Sequence, residues 1–237
     1  MSEPLARTVA SLVASWERYA TWSPGARLLR DADAAIGVFP HGADRDVFNN
    51  ALVLGDPQRA LHRIRQAYGE AGVDHYAVWV HESRRDAGAV LEAAGLQVVE
   101  RTLAMAAQLP AAGPARLASV PIAAASPATL LAVNSLPADL LPDMRPDGAA
   151  RILAAGEPPV AGLLALDHAG DCTLAFVATL PSARRRGLAT ALTVRALADA
   201  AARGCTTASL QATLEAEGVY RAAGFVGIGR FREYAIR

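Results

Sequence analysis

The residues best suited to chemistry lie in one segment, in which the apolar stretch Phe176–Thr179 is followed by Pro181, three arginines and Gly187. This order predicts a strand, a tight turn and the start of a long helix. The first four N–H groups of a helix have no partner within the helix, and the helix dipole adds partial positive charge there. Gly187 and the small Ala189 would let an anion approach the backbone, and the Thr190 hydroxyl would add a donor. The segment therefore predicts a phosphate or pyrophosphate site.

The three arginines are Arg184, Arg185 and Arg186, and they would give this anion site a cationic rim. The same residues could instead form a solvated turn, because charged side chains are mostly exposed. The neighbouring sequence favours the anion site, since the turn follows an apolar strand and precedes a long helix.

The composition of the 237-residue chain excludes several kinds of chemistry. All 23 basic residues are arginines, which excludes a lysine Schiff base, pyridoxal phosphate held by a lysine and the lysine of a standard P-loop. Because 23 acidic residues balance them, the electrostatic case for nucleic-acid binding is weak. The two cysteines, Cys172 and Cys205, are too few for a disulfide scaffold or a four-cysteine zinc site, and we expect both to be reduced core residues.

The amino-terminal segment predicts an amphipathic helix and not a signal peptide, because its apolar residues recur at helical spacing and Glu3 comes early. No apolar run in the sequence approaches the length of about 18 residues that a membrane-spanning helix needs. We therefore expect a soluble cytoplasmic protein. The apolar residues of this helix are Leu5, Val9, Leu12, Val13 and Trp16.

The chain divides into three zones, of which residues 1–109 and 130–237 alternate strand-like and helix-like segments and predict an α/β or α+β class. Residues 110–129 are rich in Pro, Ala and Ser and predict a linker. The predicted strands are 34–40, 50–54, 77–80, 159–167, 173–180 and 208–212. Besides the amino-terminal helix, the predicted helices are 56–71, 187–203 and two short ones that end before Gly95 and Gly224.

The two outer zones close on similar sequences, LEAAGL at residues 91–96 and YRAAGF at residues 220–225. A glycine after the last turn of a helix is a common cap, so this motif alone could be generic. The shared order of elements around it favours a duplicated fold.

Together these motifs resemble the GNAT superfamily of acetyl-CoA-dependent N-acetyltransferases. The family's pyrophosphate loop, Q/R-x-x-G-x-G/A, matches residues 184–189, and the strand before it matches Val177-Ala178-Thr179. The late tyrosine–helix–Gly–Phe motif matches residues 219–225. The resemblance extends from about residue 159 to the carboxyl terminus, whereas the first half resembles the fold only in its order of elements.

The resemblance implies a tandem GNAT-like fold with mixed, mostly antiparallel sheets flanked by helices, and with a splayed parallel strand pair in the carboxy-terminal half. It also implies acetyl-CoA as a co-substrate and no metal. The backbone of Val177 and Thr179, with Ala178 between them, would hold the pantetheine amides. Backbone N–H groups from Arg185 to Thr190, Leu188 included, would hold the pyrophosphate.

In this family a bound amine attacks the thioester directly, and Tyr220 is the residue expected to donate a proton to the departing thiolate, because a phenol stays protonated at neutral pH. The alternative is a tyrosine that only packs in the core. The sequence does not identify a general base. Several acidic or basic side chains lie near the expected site, but each could equally be a solvated surface residue; they are Asp167, His168, Glu215 and Glu217.

The first half departs from the family's loop pattern, with Leu54-Gly55-Asp56-Pro57 at the corresponding place. Asp56 would repel a pyrophosphate and Pro57 lacks an N–H donor, so this half is predicted to bind no coenzyme. The leading hypothesis is an acetyltransferase that acts on a small-molecule or peptide amine as a monomer or homodimer. The alternative is a non-catalytic acyl-CoA-binding sensor or scaffold, and the sequence does not reveal the acceptor.

Overall fold

The computed structural model describes residues 2–42, 48–111 and 119–236. The helices are α1 Glu3–Ala20, α2 Pro57–Ala71, α3 Arg85–Ala93, α4 Pro127–Val133, α5 Leu188–Ala202 and α6 Glu217–Ala222. The strands are β1 Arg27–Arg30, β2 Ala34–Val38, β3 Asn50–Val53, β4 Ala77–His81, β5 Gln97–Gln108, β6 Ile122–Ala124, β7 Ala150–Ala155, β8 Ala161–His168, β9 Asp171–Thr179, β10 Thr207–Ala212 and β11 Val226–Ala235. Among the described residues, no helix combines the length and the apolar character that a membrane span requires.

The chain forms two compact units that are not continuous in sequence. The β1–β4 unit comprises Trp16–Thr102, Leu140–Asp143 and Gly229–Arg237, and the β6–β10 unit comprises Met1–Ser15, Leu103–Asp139 and Met144–Ile228. Three of the five boundaries therefore fall inside α1, β5 and β11. The division into domains at residues 109 and 130 stays a prediction.

The segment 110–129, expected to be a linker, contains regular structure in its described part. Strand β6 and the first turn of α4 lie within it. Ser126 caps α4, because its hydroxyl accepts a hydrogen bond from the Thr129 amide at 3.1 Å. The sequence did not indicate these two elements, because three strand residues and a seven-residue helix are too short to show a hydrophobic period. The linker itself stays a prediction.

In the β1–β4 unit, the strands lie in the order β1, β2, β3, β4 and β11, with β3 and β4 parallel and the other neighbours antiparallel. Helix α2 begins where Asp56 caps it and Pro57 occupies its first turn, and it ends at Gly72, whose φ is 64°. Its buried stripe, which includes Ile64 and Tyr68, packs against β2 and β3. The predicted helix 56–71 is confirmed.

In the β6–β10 unit, the strands lie in the order β5, β10, β9, β8, β7 and β6, and among these described neighbours only β9 and β10 are parallel. Helices α4 and α5 cover opposite faces, since Gly162 lies against Leu130 and Val133 of α4, while the adjacent Leu163 belongs to the core that α5 covers. The α/β class and the mixed, mostly antiparallel arrangement are confirmed.

Strand β5 comes from the first half of the sequence, yet residues 103–108 pair antiparallel with β10 in the β6–β10 unit. Leu103, Met105 and Ala107 accordingly belong to the core of that unit, and Met105 is fully buried. In the β1–β4 unit, the corresponding place beside β4 is taken by residues 231–234 of β11. Each half of the sequence thus ends in a strand that completes the other unit.

The repeated closing motif has the same geometry in both halves. Gly95 has a φ of 90° and Gly224 a φ of 94°, so both need the left-handed backbone that glycine allows. The residue that follows each glycine donates its amide to the carbonyl of Leu91 or of Tyr220, at 3.0 Å in both cases. This geometry agrees with the tandem fold.

Met105→Ala is expected to destabilise the protein by about 2–5 kcal/mol, because it removes a buried side chain from a close-packed core. The measurement is the free energy of unfolding in urea. Gln97→Ala is the matched control: it changes an exposed residue of the same strand and should alter stability by less than about 0.5 kcal/mol. Equal effects of the two substitutions would contradict the assignment of β5 to the core of the β6–β10 unit.

Candidate functional site

The parallel strands β9 and β10 pair over a short distance and then separate. Their register runs from Thr207 opposite Asp171 to Ser209 opposite Thr173 and extends no further. Both strands continue beyond this point, to Ala212 and Thr179. Beyond this point the main-chain groups of the two strands therefore form no hydrogen bonds with each other, which confirms the splayed parallel pair expected for this half.

A β-bulge in β9 accompanies the separation. Against β8, Gly162 lies opposite Ala178 and Leu164 opposite Ala175, so two residues of β9 face Leu163 alone. The bulge includes Phe176, whose φ of 50° is unusual for a bulky residue.

A cavity of about 860 Å³ lies in the β6–β10 unit beside the separated strands. Its walls come from the end of β9, the turn after it, the start of α5, the segment after β10, helix α6 and the residues at the end of α4. Ten of the eleven predicted site residues line it: Val177, Ala178, Thr179, Arg184, Arg185, Gly187, Leu188, Ala189, Thr190 and Tyr220. Arg186 does not line it.

The turn before α5 presents a run of main-chain donors to this cavity. Gly187 caps the helix with a φ of 75°, Arg185 has a φ of 62°, and the first α-helical hydrogen bond is donated by Ala191 to the Gly187 carbonyl at 3.0 Å. Within the described residues, the amides of 185–190 donate to no protein group. Unpaired amides at the positive end of a helix dipole form a site suited to an anion.

The three arginines are exposed but differ in position. Arg184 donates from Nε to the Thr179 carbonyl at 3.2 Å, which ties the turn to the end of β9. Arg185 lines the cavity without a hydrogen bond to any described residue. The rim therefore consists of Arg184 and Arg185.

Tyr220 lies on α6, is 5% exposed and lines the cavity. Its ring packs edge-on against Phe225 with centroids 6.0 Å apart. Burial raises the pKa of Tyr220 to about 12, so the phenol is protonated at neutral pH. No described residue forms a hydrogen bond with its hydroxyl, which leaves that donor available to a bound molecule.

Two candidate bases lie at the β8–β9 hairpin and do not line the cavity. Asp167 binds Arg203 through two hydrogen bonds of 2.7 and 2.8 Å and Arg151 through one of 3.2 Å. Burial acts to raise the pKa of Asp167, but the hydrogen bonds and charges of these arginines outweigh it and lower the pKa. His168 is exposed at the turn.

The other two candidates lie near Tyr220. Glu217 forms an ion pair with Arg221 at 3.2 Å and does not line the cavity. Glu215, of these four described side chains, is the one that does. Cys172 and Cys205 are buried free thiols outside it, and burial raises the pKa of both.

Sequence reasoning missed Asn134, which follows α4 and lines the cavity beside Val133 and Ser135. The Asn134 amide donates to the Phe176 carbonyl at 3.0 Å. The Ser-Pro pair at Ser126 could have predicted the start of α4. The contact with β9 spans 42 residues and leaves no local signal in the sequence.

The corresponding helix start in the β1–β4 unit is occupied by the protein's own carboxylates. Asp56 accepts from the Arg59 amide at 2.8 Å, and Asp33 accepts from the Asp56 amide at 2.8 Å. Hydrogen bonds from the Arg59 side chain to Asp33 lower the pKa of this carboxyl. Carboxylates therefore stand where an anion would bind.

The comparisons with known proteins agree with this geometry. The family model described as "Acetyltransferase (GNAT) family" matches residues 134–225. A solved GCN5-related N-acetyltransferase from Kribbella flavida is 21% identical with a TM-score of 0.71, covering 96% of this chain and 95% of its own. A GCN5-related N-acetyltransferase from Sphaerobacter thermophilus is 19% identical with a TM-score of 0.62, and the match covers 98% of this chain and 91% of the Sphaerobacter chain.

A tandem GNAT protein from the clavulanic acid biosynthesis pathway is 12% identical with a TM-score of 0.59, covering 95% of this chain and 94% of its own. At these identities the likeness shows a shared fold. No curated protein sequence matches the chain.

Proposed function

Because the chain belongs to the GNAT superfamily, whose acetyltransferase domain it carries at residues 134–225, we propose that it transfers an acetyl group from acetyl-CoA to a primary amine. Family membership supports acyl transfer in general. The observation that carries the finer proposal is the run of unpaired amides at residues 185–190, which opens on the same cavity as the end of β9 and Tyr220.

These amides bind the pyrophosphate of the coenzyme, with Arg184 and Arg185 adding positive charge at the rim. The pantetheine arm lies along β9, where the main chain of Val177 and Thr179 is not paired with β10. A main-chain N–H of β9 polarises the thioester carbonyl, whose oxygen gains negative charge as the amine attacks. The C–N bond forms, the C–S bond breaks, and holding both reactants together supplies much of the acceleration.

The β1–β4 unit binds no coenzyme in this proposal. Carboxylates of Asp33 and Asp56 fill its helix start, and the four-residue strand β3 stays paired with β4 from Asn50 to Leu52. It therefore offers neither a run of unpaired amides nor a separated strand pair, and we expect one coenzyme per chain.

Thiol release from acetyl-CoA across a panel of amines, together with calorimetry, tests the proposed function. We expect one bound acetyl-CoA per chain and amine-dependent release of free thiol. Binding without thiol release for any amine would select the alternative, a non-catalytic acyl-CoA-binding sensor or scaffold. Failure to bind would refute both, and two coenzymes per chain would refute the proposal for the β1–β4 unit.

Arg185→Glu is expected to weaken coenzyme A binding about tenfold or more, which is about 1.4 kcal/mol, because it places a negative charge beside the pyrophosphate. Arg186→Glu makes the same charge change one residue along, at an exposed side chain that does not line the cavity, and should have a much smaller effect. The measurement is the Kd by calorimetry at fixed ionic strength. Equal losses in the two variants would argue against contact at Arg185.

Tyr220→Phe is expected to lower kcat about 10²-fold or more, because the departing thiolate loses the hydrogen bond that the Tyr220 hydroxyl would donate. Coenzyme affinity and Tm should change little, since the ring keeps its packing against Phe225. Steady-state kinetics measure kcat, and thermal unfolding measures Tm. Unchanged turnover would assign Tyr220 a packing role.

A further inference from the structure

The bulge in β9 reverses which side chains face the core. On the amino-terminal side of the bulge, Cys172 and Leu174 belong to the core that α5 covers. After the extra residue, Val177 packs against the same core. Alternation without an extra residue would have pointed residue 176 there instead. The bulge therefore decides the direction of the main-chain groups in residues 177–179, which line the cavity.

The Asn134 side chain holds this bulge from the cavity side. Its Nδ2 donates to the Leu130 carbonyl at 2.9 Å and to the Phe176 carbonyl at 3.0 Å. The first bond fixes the amide to the end of α4, and the second reaches the bulged residue of β9. A carboxamide suits this place because its NH₂ group has two donors and both partners are acceptors.

We propose that Asn134 is a positioning residue for the coenzyme. Resting on the proposed function, the inference is that the Asn134 bridge holds the bulge at Phe176 and so directs the main chain of Val177 and Thr179 toward the pantetheine arm. The bridge acts on the strand that would hold this arm and forms no hydrogen bond with the turn at residues 184–187, whose own link to β9 is the bond from Arg184 to the Thr179 carbonyl. Loss of the bridge should therefore weaken the binding of the pantetheine arm without weakening the binding of the diphosphate.

Asn134→Asp in the full chain tests this separation, because an ionised carboxylate keeps the shape of the amide but donates no hydrogen bond. We expect coenzyme A to bind about tenfold more weakly. The affinity for 3′-phosphoadenosine 5′-diphosphate, which has the diphosphate without the pantetheine arm, should stay unchanged. The KM for acetyl-CoA should rise, and amide hydrogen exchange in residues 174–179 should become faster.

Ser126→Ala is the matched control. It removes the hydroxyl that caps the other end of α4 and does not line the cavity. We expect it to destabilise the same helix while leaving the affinity for coenzyme A and the exchange of residues 174–179 at their original values.

Three results would overturn the inference: coenzyme A affinity retained in Asn134→Asp, an equal loss of affinity for coenzyme A and for the diphosphate probe, or an equal loss of coenzyme A affinity in Ser126→Ala. The last two would mean that Asn134 only stabilises α4 or the fold. A wild-type protein that does not bind coenzyme A would refute the proposed function itself, which is a distinguishable result.

Discussion

The candidate site depends on a parallel strand pair that stays together for only a short distance. Buried main-chain N–H and C=O groups in proteins are almost always paired, because an unpaired one costs about as much as a lost hydrogen bond. Where β9 and β10 part after the Ser209–Thr173 level, their facing groups need other partners. The bulge at Phe176, the Asn134 bridge and the cavity all lie at this separation. A ligand with an extended chain of amides offers such partners, which is the chemical reason that pantetheine suits this gap.

The two units show how the same order of elements can be open or closed to an anion. Both have a helix that follows a central strand, and both later helices end in a left-handed glycine. In the β6–β10 unit the helix start has a capping glycine and unpaired amides. In the β1–β4 unit Asp33 and Asp56 accept the corresponding hydrogen bonds. An internal carboxylate is present at a high effective concentration, so an external phosphate would have to displace it in order to bind there.

The sequence predicted those parts of the fold that local chemistry decides. Caps and apolar stripes located α2 and α5 within a residue or two, and the order of strand, arginines and Gly187 located the residues that line the cavity. It missed β6 and α4, which are short, and the placement of Met105 in the core of the other unit, which depends on a strand pairing about 100 residues away in sequence. Asn134 was missed for the same reason, because its role comes from a contact with Phe176 and not from its neighbours in the chain.

The environment of Tyr220 limits what it does in the proposed reaction. Burial raises its pKa to about 12, whereas an ordinary thiol has a pKa of about 8.5. Full proton transfer from this phenol to an ordinary thiolate therefore carries a free-energy cost. A hydrogen bond to the sulfur has no such cost and is strong in a buried site. The attacking amine carries an extra proton once its C–N bond has formed, and that proton balances the thiolate. Tyr220 then stabilises the sulfur as the C–S bond breaks, and the net proton comes from the amine.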